Sequence, residues 1–545
     1  MASLFYFCGR TVILAMMRLG LIHGWTLYAL LTIVPNVFAG GTARYFVLVV
    51  WDGMRPDFVS AELTPALQTL RESGVWFANH HSVYPTSTEV NGTVLATGVF
   101  PQRSGITANK EYRHEIDPRK PFGTQSLQAV RRGDELTGGK YLKVLTVAEM
   151  VKTAGGRTAV VGAKPVALLH DRRARPAGSA SQVWFVEGSL PETLFGSLTN
   201  RFGSFPAATY PNVPRDIWAT RCLTEAFWKK EMPRYSVLWL SEPDYSQHEY
   251  GPGSPQALAA IRNCDQRLAT VLAELDRRGI REQTDLFVAS DHGFSTIGQN
   301  EDVAATLRAA GINARPAWDE SPMRDDVVVV GNGGSVLLYV TGHARTVIDK
   351  IVSALQQHPD SGVVFTRAGI PGTFKLAEAM LDSPSAPDVI VASTWRLTNE
   401  GNRHQRNEVS NDGYSEYTVG GGMHVTLSPT DLHNLAIAAG PDFRRGVTSP
   451  LPSGNVDIVP TLLWLMDIQP RVRLDGRVLS EALRAKAPPA PEAKPGLLKA
   501  RRDFANGTWE QYLRFTEVNG VRYLEEGNGN WQPRSQLFSP GSKKI

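Results

Sequence analysis

Tyr45-Phe46-Val47-Leu48-Val49-Val50-Trp51-Asp52-Gly53 is the stretch that decides the fold. Seven apolar, aromatic or β-branched residues without polar alternation read as a strand buried on both faces, as in parallel sheets covered by helices. The run ends on an acid and a glycine. Two later runs end the same way. Val237-Leu238-Trp239-Leu240 leads into Ser241-Glu242-Pro243-Asp244, with His248 four residues on. Leu286-Phe287-Val288-Ala289 leads into Ser290-Asp291-His292-Gly293. In an open α/β sheet the ligand crevice lies outside the carboxyl ends of the strands. Three buried strands that hand over to aspartate at that edge aim carboxylates and imidazoles at one place, which is the signature of a metal cluster.

Outward from these runs, further strands are expected at 157–163 and 435–439, and helices at 62–74, 215–231, 255–279 and 455–467. Pro65 suits the first turn of the first helix. Strands alternating with helical patterns predict an α/β fold, a mostly parallel central sheet with helices on both faces. That catalytic domain would span 40–485. Residues 101–150, rich in Arg, Lys and Gly, read as an insertion. Residues 297–423, with strand candidates at 326–331, 335–340 and 388–393, read as a cap over the site. A Pro/Ala linker at 487–496 precedes a tail, 497–545, whose strands 509–516 and 521–525 are joined through Asn519-Gly520, a strong hairpin signal.

The chain has 545 residues, 42% hydrophobic and 20% charged, with a net charge of +4. That is an ordinary globular composition, and the charge is too small to make duplex nucleic acid a main partner. Arg10 and Arg18 precede an apolar stretch ending at Val37-Phe38-Ala39, which reads as a signal peptide over 1–39 and an exported protein, periplasmic or extracellular, with an uncleaved membrane anchor as the alternative. No other segment is apolar enough to span a bilayer, so no membrane anchor is expected after cleavage. Cys8 would leave with the signal. Cys222 and Cys264 remain, either as a disulfide or as two small buried residues.

Tyr84-Pro85-Thr86-Ser87-Thr88-Glu89-Val90-Asn91-Gly92 opens a helical pattern. A hydroxyl at a helix N-terminus sits beside unpaired N–H groups that favour an arriving phosphate or sulfate. Thr88 alone is a poor nucleophile, and a divalent metal would lower its pKa. Thr86 or Ser87 would compete with it for the capping position.

At this point the chain resembles the alkaline phosphatase superfamily, most closely its nucleotide pyrophosphatase/phosphodiesterase branch. The match runs through Trp51-Asp52-Gly53 with Arg55-Pro56-Asp57, then Pro85-Thr86-Ser87-Thr88 with Asn91 and Thr97-Gly98. It continues through Glu242-Pro243-Asp244 with His248 and Tyr250-Gly251-Pro252, Ser290-Asp291-His292-Gly293, and Gly422-Met423-His424 before Ala436-Ile437-Ala438-Ala439-Gly440-Pro441. The resemblance implies two divalent metal ions of the zinc type. One would be held by Asp52, Thr88, Asp291 and His292, the other by Asp244, His248 and His424. It implies Thr88 as nucleophile through a phosphothreonine, and Asn91 as donor to a phosphoryl oxygen.

The chain departs from the family in several places. Thr88-Glu89-Val90-Asn91-Gly92 stands where Thr-Phe-Pro-Asn-His is usual, which removes a stacking contact for a nucleobase. Glu89 sets a negative charge beside the phosphate, disfavouring a dianionic monoester. Lys164, at the end of Thr158-Ala159-Val160-Val161-Gly162-Ala163, is either a substrate phosphate contact or a solvated strand-end residue. His424-Val425 stands where His-Gly is common. His80 and His81 need no ligand role, and Asp265 and Asp457 read as capping or packing residues. Glu242 either holds a ligand or faces solvent.

The expected function is hydrolysis of a phosphodiester or pyrophosphate bond in a small phosphate ester or nucleotide. Phosphomonoester or phosphonate hydrolysis on the same residues is the alternative, and a non-catalytic zinc-containing binding protein is the rival of another class.

Overall fold

The computed structural model describes residues 40–398, 408–413, 417–484 and 491–534. The decisive strand, Tyr45–Trp51, is the middle member of a nine-stranded sheet. Its neighbours, Thr284–Ala289 and Tyr235–Leu240, both run parallel to it. Thr158–Gly162 lies parallel beyond Tyr235–Leu240. Ala436–Ala439 runs antiparallel on the other side, so the sheet is mostly parallel, as expected.

Strand alternation divides the core in two. Phe46, Leu48 and Val50 face one side, where they meet Leu95, Val151 and Leu462 from the helices Thr88–Thr97, Val147–Thr153 and Asn455–Leu465. Val47, Val49 and Trp51 face the other, against Leu67, Ala219 and Leu268 from the helices Pro65–Ser73, Val213–Arg221 and Pro255–Arg277. Both sides of the run are therefore dry, which is why it shows no polar alternation. Each fully buried Val, Leu or Phe contributes about 1.5–3 kcal/mol.

Two expectations are corrected, and the stretch 101–150 is joined to the main core. Val130, Tyr141, Val147, Met150 and Val151 pack into the main core, and a capping box between Thr146 and Glu149 starts the helix Val147–Thr153. The helix expected at 215–231 is regular only over Val213–Arg221 and continues as a wider π turn over Cys222–Phe227. The C-terminal hairpin Gly507–Val518/Val521–Pro533 turns at Asn519-Gly520, both with positive φ, but it carries a third strand. That strand, Ala493–Phe504, begins inside the expected linker, of which 487–490 lies outside the described residues.

Residues 297–423 contain all of a six-stranded sheet that includes Val327–Asn332, Ser335–Val340 and Val389–Ser393. The C-terminal sheet packs on it. Gln511 accepts from the Val364 N–H at 2.9 Å and donates to the Val364 carbonyl at 3.1 Å. Cys222 and Cys264 are both free thiols buried in helices, so the disulfide alternative is not the one formed. Among the described residues no helix is long and apolar enough to cross a membrane. The expected signal peptide lies outside them.

Candidate active site

Register brings the first two acids together. Val50 pairs with Ala289, so Asp52 and Asp291 leave adjacent strands at the same level. Gly53 then turns the chain at φ +72, and its N–H donates to Asp291 Oδ1 at 3.0 Å. A Cβ there would lie 2.9 Å from the Phe294 ring, so the position requires glycine twice over. Asp52 Oδ2 accepts from the Trp239 indole at 2.7 Å. Asp244 starts the short helix Asp244–Tyr250, which puts His248 one turn on, on the same side. Glu242 does not face solvent. It is fully buried and accepts from the Ser246 N–H and hydroxyl, both at 3.0 Å, and from the Asn212 N–H, fixing the turn that carries Asp244.

The three histidines share one device. His248 Nδ1 lies 2.9 Å from the Gly422 carbonyl, His292 Nδ1 2.9 Å from the Gly293 carbonyl, and His424 Nδ1 2.7 Å from the Thr86 carbonyl. A carbonyl can only accept, so each Nδ1 carries a proton, which leaves Nε2 as the nitrogen free to ligate. Those Nε2 atoms point at the carboxylates. His248 Nε2 is 3.3 Å and His424 Nε2 3.7 Å from Asp244 Oδ1. His292 Nε2 is 3.3 Å from Asp291 Oδ2 and 3.6 Å from Asp52 Oδ1. Burial holds the His292 and His424 rings below the ordinary histidine range, with His292 and His248 adding to the effect at His424. They stay neutral, the form that binds metal.

The carboxylates are left wanting a cation. Asp52 Oδ1, Asp244 Oδ1 and Asp291 Oδ2 are buried without a hydrogen-bond partner. Burial and the charge of Asp291 push the Asp52 carboxyl well up. At Asp244 burial is outweighed by Lys164 and His248, which hold it well down. Ligand atoms of Asp244, His248 and His424 lie within 4.8 Å of one another, as do those of Asp52, Asp244 and His292. Orphaned buried carboxylate oxygens facing neutral imidazole lone pairs fit divalent ions of the zinc type.

Thr88 is the first residue of its helix, after Ser87, whose side chain makes no cap bond. Its Oγ1 lies 3.3 Å from His292 Nε2, at the edge of the ligand set. Lys164 is not solvated. Its Nζ lies 2.8 Å from Asp244 Oδ2 and 3.0 Å from Asp52 Oδ2, with only 11% of the side chain exposed. Glu89 is buried with Oε2 unpartnered, and burial pushes its carboxyl up to about 7.

Asn91 does not reach the cavity. Its Oδ1 accepts from the Val83 N–H at 2.8 Å and from Asn455 at 3.1 Å, and its Nδ2 donates to the Val83 carbonyl at 2.9 Å. The expected donor role is corrected accordingly, because the carboxamide is spent on tying the helix to the preceding loop. Asn109 lies on the cavity instead. Its Oδ1 accepts from the Glu89 N–H at 3.0 Å, and it lines a space of about 240 Å³ with Glu89, His248, Asn332, Tyr417 and His424. The hairpin turn at Asn332-Gly333 brings the accessory sheet to this cavity. Tyr417 stacks on His248, with ring centroids 4.2 Å apart. A larger cavity, about 1030 Å³, lies between the accessory and C-terminal sheets and shares no residue with the site.

His80 is also part of the surroundings. Its Nε2 lies 3.1 Å from Asn455 Oδ1, and Asn455 donates to the Asp291 carbonyl at 2.7 Å. Asp457 is a packing and capping residue, accepting from Gly454 at 2.8 Å and Tyr523 at 2.7 Å. Asp265 caps the helix Pro65–Ser73, accepting from the Ala66 and Leu67 N–H groups.

A mostly parallel sheet between two helical layers, with aspartates and histidines gathered at its carboxyl edge, is the architecture of the alkaline phosphatase superfamily. The family model described as type I phosphodiesterase/nucleotide pyrophosphatase matches residues 46–418, and the chain belongs to that family. Ectonucleotide pyrophosphatase/phosphodiesterase family member 7 of Homo sapiens is 22% identical over 468 residues, 85% of this chain and 88% of the relative. The venom phosphodiesterase CdcPDE of Crotalus durissus collilineatus is 25% identical over 266 residues, 48% of this chain. The matched region is 27% of the venom enzyme's length, so the chain corresponds to a fraction of that protein. Murine ectonucleotide pyrophosphatase/phosphodiesterase 5, solved as an inactive variant in complex with AMP, superposes with a TM-score of 0.55 at 17% identity. That likeness covers 81% of this chain and all of the murine one, and it concerns the fold.

Proposed function

We propose that this chain is an exported hydrolase that cleaves phosphodiester or pyrophosphate bonds in nucleotide-like small molecules, with Thr88 as nucleophile. The observation that carries the reading is the set of three unpartnered carboxylate oxygens facing three inward-turned imidazoles beside the Thr88 hydroxyl. Asp52, Asp291 and His292, with Thr88, would hold one divalent ion, and Asp244, His248 and His424 a second. Two such ions, when bound, lower the pKa of a coordinated hydroxyl and neutralise charge on the entering and leaving oxygens. Thr88 Oγ1 attacks phosphorus, the bond to the leaving oxygen breaks, and water then hydrolyses the phosphothreonine. Asn109, turned by its bond to the Glu89 N–H, donates Nδ2 to a phosphoryl oxygen. The carbonyls of Thr86, Gly422 and Gly293 keep the imidazoles aimed throughout.

Glu89 on the cavity wall favours a monoanionic diester over a dianionic monoester by charge. The family name and the AMP complex of the murine relative support a nucleotide-like substrate. The test sets bis-p-nitrophenyl phosphate beside p-nitrophenyl phosphate with zinc-loaded protein. A diester preference abolished by chelator and by Thr88→Ala is expected. A monoester preference would move the reading to phosphatase chemistry, and metal-bound protein inert on both would favour a binding protein.

A further inference from the structure

We infer that His81, His433 and Glu525 form a separate zinc site that fastens the C-terminal sheet to the catalytic body. It shares no residue with the candidate active site and does not depend on the reading given to that site.

The three side chains come from three places in the chain. His81 lies in the short strand His80–His81, His433 follows the helical turn Pro429–Leu432, and Glu525 lies in the last strand, Val521–Pro533. Their ligand atoms converge. His81 Nε2 is 3.0 Å and His433 Nε2 3.2 Å from Glu525 Oε2, and one donor atom of each residue lies within 4.8 Å of the others. Zinc bonds of about 2.0–2.1 Å in a tetrahedron set ligand atoms roughly 3.3 Å apart, so a small relaxation admits the ion.

The surroundings are built for ligation. His81 Nδ1 lies 3.0 Å from the Ser453 carbonyl, the same device that aims Nε2 of His248, His292 and His424 inward. His81 Nε2 and His433 Nε2 converge on the same Glu525 oxygen, so a divalent ion can take the place of the proton shared between nitrogen and carboxylate. The other oxygen of Glu525 accepts from the Thr516 hydroxyl at 2.8 Å, which orients the carboxylate. Two imidazoles and one carboxylate are the donor set of a three-ligand zinc centre with one position left open. A cavity of about 470 Å³, bordered by His433, Thr516 and Glu525, gives an entry path and room for water in that position.

Alternation along the two-residue strand explains why the sequence resists this reading. His80 turns to Asn455 and the active site, whereas His81 turns away to the C-terminal sheet. The site thus anchors, through one strand, both the last sheet and the segment that leads to Thr88.

The test is zinc content per full-length chain, by elemental analysis after desalting, for wild type, His433→Ala and Glu525→Gln. Each variant should carry one zinc fewer than wild type. A background variant with His248→Ala and His424→Ala should retain a zinc that is lost when His433→Ala is added. Glu525→Gln keeps the shape and an acceptor oxygen, so it serves if His433→Ala fails to fold. Equal zinc in wild type and both variants would overturn the inference and leave a hydrogen-bonded His-Glu-His cluster. Because the readout is a difference in zinc, failure of the catalytic reading would show separately, as lost turnover with this difference intact.

Discussion

Replacing Lys164 with methionine removes the ammonium that lies 2.8 Å from Asp244 Oδ2 and 3.0 Å from Asp52 Oδ2, while keeping most of its length. A unit charge pair near 3 Å interacts by roughly 5 kcal/mol at an effective dielectric of about 20. Part of that offsets the burial of the ammonium. Breaking one partner of a buried pair costs about 3–5 kcal/mol in practice. The metal-free Lys164→Met protein should therefore be destabilised by about that much, since two buried carboxylates lose their counter-charge. With divalent ions bound the counter-charge is restored, and only a packing cost of about 1 kcal/mol remains. The thermodynamic cycle then requires zinc to bind the variant more tightly by about 2–4 kcal/mol, roughly 30- to 1000-fold. Urea unfolding of chelator-treated and zinc-loaded protein, with zinc affinity from chelator competition, reads all sides of the cycle. Weaker zinc binding by Lys164→Met, or equal destabilisation with and without zinc, would rule out this coupling. It would mean that Lys164 does not share its carboxylates with the metals.

The other predictions concern selectivity, catalysis and pH. Glu89→Gln, which removes a buried charge from the cavity wall, should raise kcat/KM for a monoester relative to a diester about tenfold at pH 8. An unchanged ratio would dismiss Glu89 as a selector. Asn109→Ala should lower kcat about 100-fold with zinc content intact, whereas Asn91→Ala should chiefly lower the unfolding midpoint. Burial, then the charge of Asp442, push Asp285 up to about 9 from an ordinary value of 3.8. Folding then binds a proton between roughly pH 4 and 9, and stability falls as pH rises through that window. Asp285→Asn keeps the acceptor for the Asp442 N–H and loses this dependence, so its advantage in thermal midpoint should grow from pH 5 to pH 9. A constant difference would show that Asp285 ionises normally.

The parts of this molecule written in the sequence are those where one physical demand dominates. Tyr45–Trp51 is buried on both faces, so its apolar run is continuous and its last residue marks the sheet edge where Asp52 stands. The same holds for the strands before Asp244 and Asp291. His424 has no such run before it and became visible only through family resemblance. Lys164 misled because its neighbours in sequence give no sign of the two carboxylates that the register puts beside it. Asn91 and Asn109 show the same limit. Both are asparagines close to Thr88 in space, and only tertiary placement decides which amide is spent on backbone. The stretch 101–150 hid Asn109 because its Arg, Lys and Gly content masked the few apolar residues that seat it in the core. The first residues of Ala493–Phe504 read as a linker because the strand's side chains are half-buried or exposed along its whole length. Its strand character comes from the twelve-residue pairing with Gly507–Val518 rather than from an apolar face.

Divalent ions held between the strand-end carboxylates and the three inward-facing imidazoles would be seen by anomalous diffraction at the zinc edge, from crystals of zinc-loaded protein. Two neighbouring peaks are expected, one among Asp52, Asp291, His292 and Thr88 and one among Asp244, His248 and His424. A protein that turns over diester with no anomalous peak between those side chains would contradict that expectation.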